Sequence, residues 1–484
     1  MNGRDAAERN ETTNVDEDMS ETFEMVAKTL PGLEEVLAQE LTELGADDVV
    51  MGRRMVAFRG DKEMMYRANL CLRTALRILK PIAHFEATDA DEVYQAVKAV
   101  EWEKWLDVEK TFAVDATVYS QEFRHSKFVV YRVKDAIADH FSEHLGKRPS
   151  VRLNGADVQL NIHIAERQCT LSVDSSGESL HRRGYRQETM EAPLNEVLAA
   201  GMILMTGWRG ECDLIDPMCG SGTIPIEAEL IARNIAPGIF RKEFAFERWP
   251  DFDADLLQRI YNDDSRERDF NHRIYAYDNA PRAIETARRN MKAAGALHDI
   301  ELKLQPFQQF EKPAERAIIV TNPPYGERIS TDDLLGLYRM IGERLKHAMA
   351  GGEAWILSYR DECFDSIGLK ATRRVALNNG PLECEYRQYE LFDGTYRAFR
   401  GSGEELNKPS RDEAERRRSG SRREARIEQR GTGRREGRTA GRYEERNEPR
   451  RERRNGDEAD SRRWKPRSGE SYPERKRRQQ HKEE

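Results

Sequence analysis

From about residue 193 onward one unit recurs: a short apolar run, a turn built on Gly, Pro or Asn, then a stretch with helical spacing. The runs are residues 212–215, 274–277, 300–304, 317–320 and 354–357. Strands this short and apolar are covered on both faces, and connecting helices reach both faces of a sheet when the strands are parallel. Residues 385–392 read as a closing antiparallel strand. The expected fold of this half is α/β with a mostly parallel sheet.

Residues 23–180 carry a different rhythm. Residues 23–29 alternate as a strand, 31–44 have helical spacing with Pro31 near the first turn and Gly45 at the end, and 49–59 read as a hairpin. Residues 64–79 are helical and pass into a strand. A second α+β unit follows, with helices at 89–105 and 129–145, a strand at 111–119, and two further strands within 150–173 around Asn154-Gly155 and Glu166-Arg167. The chain thus divides into a disordered segment 1–20, α+β units at 21–85 and 86–180, an α/β domain at 185–398 and a disordered tail at 401–484.

Charge separates the tail from the rest. Residues 401–484 hold 27 Lys and Arg against 19 Asp and Glu, and contain no Val, Phe or Met. Such a segment buries too little apolar surface to fold alone. With a net charge of −8 overall, the first 400 residues stand at −16, a poor general surface for polyanions, so an RNA partner would need local basic patches or the tail. No apolar stretch reaches membrane-spanning length, and the first twenty residues are polar and acidic, which points to a cytoplasmic protein without a membrane role. The six cysteines form no Cys-x-x-Cys pair and have no His at zinc spacing, so neither disulfides nor a metal is expected.

Three loops carry chemistry. Asp216-Pro217-Met218-Cys219-Gly220-Ser221-Gly222-Thr223 lies between a strand and a helix, where Gly220 and Gly222 allow a tight turn and the helix start offers unpaired amides. A nucleotide-like ligand is expected there. No Lys follows the second glycine, which disfavours a Walker loop, and the third glycine of the dinucleotide fingerprint is absent. Asp278 ends the next strand, where a carboxylate can accept both hydroxyls of a ribose or serve as a helix N-cap. Thr321-Asn322-Pro323-Pro324-Tyr325-Gly326 ends the fourth strand. Two prolines stiffen the backbone so that the Asn322 side-chain oxygen and the Pro323 carbonyl can act as fixed acceptors for a planar amine, and Tyr325 supplies a stacking ring.

In this order, with Arg182-Arg183-Gly184-Tyr185-Arg186 and Ala192-Pro193-Leu194-Asn195-Glu196 ahead of them, these motifs resemble the class I methyltransferase domain of bacterial RNA guanine-N2 methyltransferases. Residues 23–180 resemble that family's N-terminal half, a ferredoxin-like unit followed by an RNA-binding THUMP domain. The resemblance implies a Rossmann-like sheet with an antiparallel last strand. It also implies S-adenosylmethionine as cofactor, held by Asp216, Cys219, Gly220, Ser221, Gly222, Thr223 and Asp278. Asn322, Pro323 and Tyr325 would be catalytic, and Pro324, Arg183, Tyr185 and Arg186 would contact RNA. The implied substrate is a guanine of 23S ribosomal RNA, with transfer RNA second. Relatives carry an acidic residue after the third strand for the adenine, whereas this chain reads Leu304-Gln305-Pro306-Phe307, so Gln305, Phe307 or backbone groups are expected to substitute.

Two other readings use the same residues. DNA adenine-N6 methyltransferases share an Asn-Pro-Pro-Tyr loop, against which the N-terminal units argue. A noncatalytic RNA chaperone or ribosome assembly factor acting through its tail would have no use for intact cofactor and amine loops.

Overall fold

The computed structural model describes residues 21–391 apart from 124, 154, 190–192, 314 and 326–330, and apart from the side chain of residue 332. The expectations for residues 1–20 and 401–484, and the motif residues Ala192 and Gly326, lie outside the described residues.

The first half folds as strands β1 (Phe23–Lys28), β2 (Asp47–Gly52), β3 (Met55–Gly60), β4 (Arg77–Glu86), β5 (Thr111–Tyr119), β6 (Ser150–Val151), β7 (Val158–Ala165) and β8 (Gln168–Asp174). Helices α1 (Glu34–Leu44), α2 (Lys62–Cys71), α3 (Ala90–Lys98) and α4 (Ser126–Leu145) accompany them. All eight strands form one sheet in the order β2-β3-β1-β4-β8-β7-β5-β6. The join is β4. Its residues Arg77–Leu79 pair with β1, while Leu79 to Glu86 pair with β8, so a strand belonging to the first α+β unit also seats the second. Pro81 lies in its middle without an N–H to donate, and the register with β8 shifts between Pro81 and Ala83.

The helix expected over 89–105 is shorter than its apolar spacing suggests. Asp89 caps α3 by accepting from Asp91 and Glu92 N–H, but the helix ends at Lys98 and a separate 3₁₀ turn covers Trp102–Lys104. The Trp102 indole donates to Val97 O at 2.8 Å, so the apolar side chains stay on one face while the backbone changes course.

The second half contains α5 (Glu196–Met205), β9 (Asp213–Asp216), α6 (Thr223–Ala232), α7 (Ala254–Asn262), β10 (Ile274–Asp278), α8 (Pro281–Ala294) and β11 (Ile300–Leu304). It continues with β12 (Ala317–Thr321), α9 (Thr331–Ala348), β13 (Glu353–Ser358), α10 (Asp361–Ile367), β14 (Arg373–Asn379) and β15 (Leu382–Glu390). The sheet order is β11-β10-β9-β12-β13-β15-β14, parallel from β11 to β13 and antiparallel at β15 and β14. This is the class I methyltransferase arrangement. The strand order reverses between β9 and β12, the switch point beyond whose carboxyl ends open α/β sheets take their ligands. β14 was not anticipated: it is an edge strand with Arg373, Arg374, Asn378 and Asn379, and an edge needs only one apolar face. The six cysteines are unpaired, and no helix among the described residues is long and apolar enough to cross a membrane.

The two halves meet on a buried polar cluster. Arg183, 2% exposed, lies 3.4 Å from Glu227 of α6, which is 0% exposed. Its other donors reach Leu180 O and Arg73 O, and the Tyr185 hydroxyl donates to Glu227 at 2.9 Å. Burial, reinforced by Glu227, pushes the Tyr185 hydroxyl well above its usual range. An ion pair removed from water tolerates the loss of neither partner. Glu227→Gln is therefore expected to cost about 3–5 kcal/mol of stability, read as a lowered urea midpoint; an unchanged midpoint would show that the pair contributes nothing at this junction.

Candidate active site

The glycine loop follows β9 and turns into α6 as expected. Gly220 and Gly222 have φ of 53° and 81°, the region that disfavours a side chain, and a Cβ at Gly220 would face open space. Three hydrogen bonds shape the loop: Cys219 N–H to Tyr277 O at 2.8 Å, Gly222 N–H to Cys219 O at 2.8 Å, and Gly220 N–H to Asp278 Oδ2 at 3.0 Å. The other Asp278 oxygen accepts from Ala280 N–H at 2.9 Å. Asp278 thus closes a turn of its own and pins the loop, while the N-cap of α8 is Ala280. The Cys219 thiol is held far above its usual range by burial and by Asp216 and Asp278, so it is no nucleophile.

Asp216 sits beneath the loop, 1% exposed, accepting from Thr321 Oγ1 at 2.9 Å and from Met218 N–H at 3.3 Å. Burial pushes its carboxyl up to about 7, against those hydrogen bonds and with Asp278 adding repulsion. The Thr321 bond ties the end of β9 to the end of β12, directly before Asn322. Both chemical loops therefore start side by side at the carboxyl ends of adjacent strands.

Asn322 is half-buried, Pro323 buried and Pro324 exposed. Asn322 Oδ1, expected to face outward as an acceptor, receives the hydroxyl of Tyr325. Asn379 of β14 donates to that hydroxyl at 3.5 Å, and the Tyr325 ring meets Tyr359 edge-on at 5.4 Å and 87°. Burial raises the Tyr325 hydroxyl far above its usual range, so it remains a neutral donor.

Three expected RNA contacts are placed otherwise. Arg183 and Tyr185 are each 2% exposed, with their polar groups bound to Glu227 and to backbone, and they cannot present those groups to RNA. Arg186 is turned inward. It donates to Glu196 at 2.7 Å, Leu194 O at 3.1 Å, Ser221 Oγ at 3.1 Å and Thr223 Oγ1 at 3.0 Å, so it braces the glycine loop from behind. Ser221 and Thr223 are correspondingly buried, and their hydroxyls serve Arg186. After β11, Phe307 is packed against Phe310 at 5.4 Å and only 5% exposed, which removes it as an adenine contact. Gln305 stays half-buried, its amide nitrogen donating to Gln309 O at 3.1 Å.

One positioning residue escaped the sequence reading. Asn290 of α8, 1% exposed, donates to Ser221 O at 3.0 Å and Glu188 O at 3.1 Å, and accepts from Gln187 and Glu188 N–H. A lone Asn on the buried face of an amphipathic helix was the available signal.

Comparison with known proteins finds the same succession of domains. Residues 183–388 match the RMKL-like methyltransferase domain, 87–174 the THUMP domain and 24–79 the RlmL ferredoxin-like domain. A Synechocystis sp. protein named as a candidate RNA methyltransferase, slr0064, is 39% identical over 364 residues, covering 75% of this chain and 95% of that one. The ribosomal RNA large subunit methyltransferase K/L of Syntrophotalea carbinolica is 40% identical over 387 residues, covering 77% of this chain and 54% of that one. This chain spans about half the length of the K/L relatives it matches. Among solved structures, SMU.472, described as a candidate methyltransferase in complex with SAH, is 32% identical with a TM-score of 0.69, over 78% of this chain and 100% of that one. A ferredoxin-like unit and a THUMP domain in front of a class I catalytic sheet, matched along nearly the whole of a relative, place the chain in the RMKL-like methyltransferase family.

Proposed function

We propose that the protein transfers a methyl group from S-adenosylmethionine to the exocyclic N2 amine of a guanine in RNA, with large-subunit ribosomal RNA as the substrate. The observation that carries this reading is the Asp216–Thr321 hydrogen bond, which seats the glycine loop and the Asn322 loop in one crevice.

The residues of the crevice suit the cofactor. Asp216 and Asp278 bring two carboxylates together, and the hydrogen bonds they accept come from N–H and hydroxyl groups rather than from Lys or Arg. A ligand bearing a sulfonium and an ammonium supplies the missing positive charge, and the open side of Gly220 admits it. S-adenosylmethionine, when bound, provides an electrophilic methyl. The chain's own contribution is positional. Asn322 Oδ1 and the Pro323 carbonyl accept the hydrogens of a base amine and orient its nitrogen, while Tyr325 and Tyr359 supply ring faces and edges against the base. Support for RNA comes from the THUMP match, and for ribosomal RNA from the names of the K/L relatives.

The two loops are expected to separate in their effects. Asn322→Ala should lower turnover by at least about 100-fold while leaving cofactor affinity within about threefold. Asp278→Ala should weaken cofactor binding by more than about tenfold in calorimetry. Comparable losses of both quantities in both variants would merge the two roles.

The hydroxyl of Tyr325 is a placeholder on Asn322 in this reading, and its ring is the working part. Tyr325→Phe should keep kcat/KM within about threefold, whereas Tyr325→Ala should lose about tenfold or more. A Phe variant as impaired as the Ala variant would assign the hydroxyl a direct role.

Asp216 gives the site a pH dependence. Between about pH 4 and its raised value near 7 the folded protein keeps a proton that the unfolded chain has released, so stability declines as pH rises through that window. A cationic ligand prefers the ionised form. Affinity for the cofactor should therefore tighten by about tenfold from pH 5.5 to 7.5, and the slope should vanish in Asp216→Asn. A wild-type affinity that is flat over this range would sever the link between Asp216 and the cofactor's charge.

A further inference from the structure

We infer that Glu103, His140 and His144 form a divalent-metal site, most suited to Zn²⁺, on the α3–α4 face of the THUMP unit. The two histidines stand four residues apart on α4, hence on one side of it, and Glu103 faces them from the 3₁₀ turn that follows α3. One ligand atom from each, an imidazole nitrogen or a carboxylate oxygen, lies within 4.8 Å of the other two.

His140 is prepared for this role. It is 5% exposed, and its Nδ1 lies 2.9 Å from Lys98 O. A carbonyl only accepts, so Nδ1 carries the proton, and that leaves Nε2 as the nitrogen with a lone pair. Nε2 lies 3.0 Å from Glu103 Oε1, and the His144 ring centroid is 4.2 Å from that of His140. A backbone carbonyl that fixes one imidazole nitrogen and aims the other is the usual outer support of a metal-binding histidine. The 3₁₀ turn that carries Glu103 is anchored by Trp102, which is 0% exposed with its indole bound to Val97 O.

A metal would engage all three side chains at once, whereas the direct His140–Glu103 contact leaves His144 out. Two ligands on a tetrahedral Zn²⁺ with bonds of about 2.0–2.1 Å stand about 3.3 Å apart, and His140 Nε2 and Glu103 Oε1 are 3.0 Å apart. Three protein ligands leave a fourth position for water. The bound ion would fasten the end of α3, the 3₁₀ turn and α4 to one another. Cysteine spacing gave no sign of it, because the ligands are two histidines and a glutamate with no thiolate among them.

The test is titration of the metal-free full chain, without an affinity tag, by Zn²⁺ in competition with a chromophoric chelator. One Zn²⁺ per chain is expected, with a dissociation constant on the order of 1 µM or below. His144 and Glu103 are exposed, so His144→Ala and Glu103→Gln should fold normally, and each should weaken binding at least about tenfold. Co²⁺ loaded in place of Zn²⁺ should show visible d–d bands without a thiolate charge-transfer band, which separates this site from chance binding by the free cysteines. The proposal is overturned by the absence of saturable binding, by binding that both variants retain at full strength, or by a thiolate band.

Discussion

The buried Arg183–Glu227 pair ties the first half of the chain, the connection and the helix behind the glycine loop to one another. A guanidinium removed from water needs every donor used, and these are used on different parts of the chain: Arg73 O before β4, Leu180 O in the connection and Glu227 on α6. The pair alone would cost more to desolvate than its Coulomb attraction returns. The Tyr185 hydroxyl and the two carbonyls offset that difference, and one of the carbonyls, Arg73 O, is supplied by the first half of the chain. The apolar contacts nearby, such as the stacked rings of Tyr66 and Phe246 at 4.1 Å, are less exacting about geometry. The cluster therefore sets the register between the halves, and the apolar surface contributes most of the cohesion.

From that junction the constraint passes directly into the crevice. Glu227 belongs to α6, into which the glycine loop leads, and Arg186, three residues beyond Arg183, grips Ser221 and Thr223 where loop and helix meet. Asn290 holds the Ser221 carbonyl from α8, Asp278 holds the Gly220 amide from β10, and Asp216 reaches Thr321 on β12. The loop is thus fixed by three neighbouring elements before any ligand arrives, which lowers the ordering cost of binding. The Asn322 loop differs. Its acceptor is satisfied by Tyr325 within the same loop, an arrangement that must be exchanged when a base enters.

The sheet of the second half was legible because its strands are buried on both faces and punctuated by turns. Residues 274–277, 300–304 and 317–320 are found as strands within a residue of their expected limits. Local chemistry was legible too: glycines where φ is positive, an acid at a strand end, prolines after Asn322. What escaped was pairing across long separations. Arg183, Tyr185 and Arg186 looked like free basic and aromatic groups, since nothing local announces that Glu227 and Glu196 will meet them. Asn290 and the His140–His144 spacing were hidden in the same way, each a polar residue on a helix whose partner is supplied by another element. β14 escaped because an edge strand carries only half of the apolar signal.

The shared strand β4 bears on how such a chain can be recombined. Ten residues of one strand serve two α+β units, pairing with β1 at one end and with β8 along the rest. The units are consequently not interchangeable cassettes. A chimera that replaces residues 86–180 with another protein's segment would leave β4 an open ladder beyond Leu79, unless the donor carries a β8 equivalent with the same slip opposite Pro81 and Ala83. Lengthening or shortening β4 by one residue would turn its outward side chains inward over that stretch. Heredity in this fold travels in a larger packet than either unit alone.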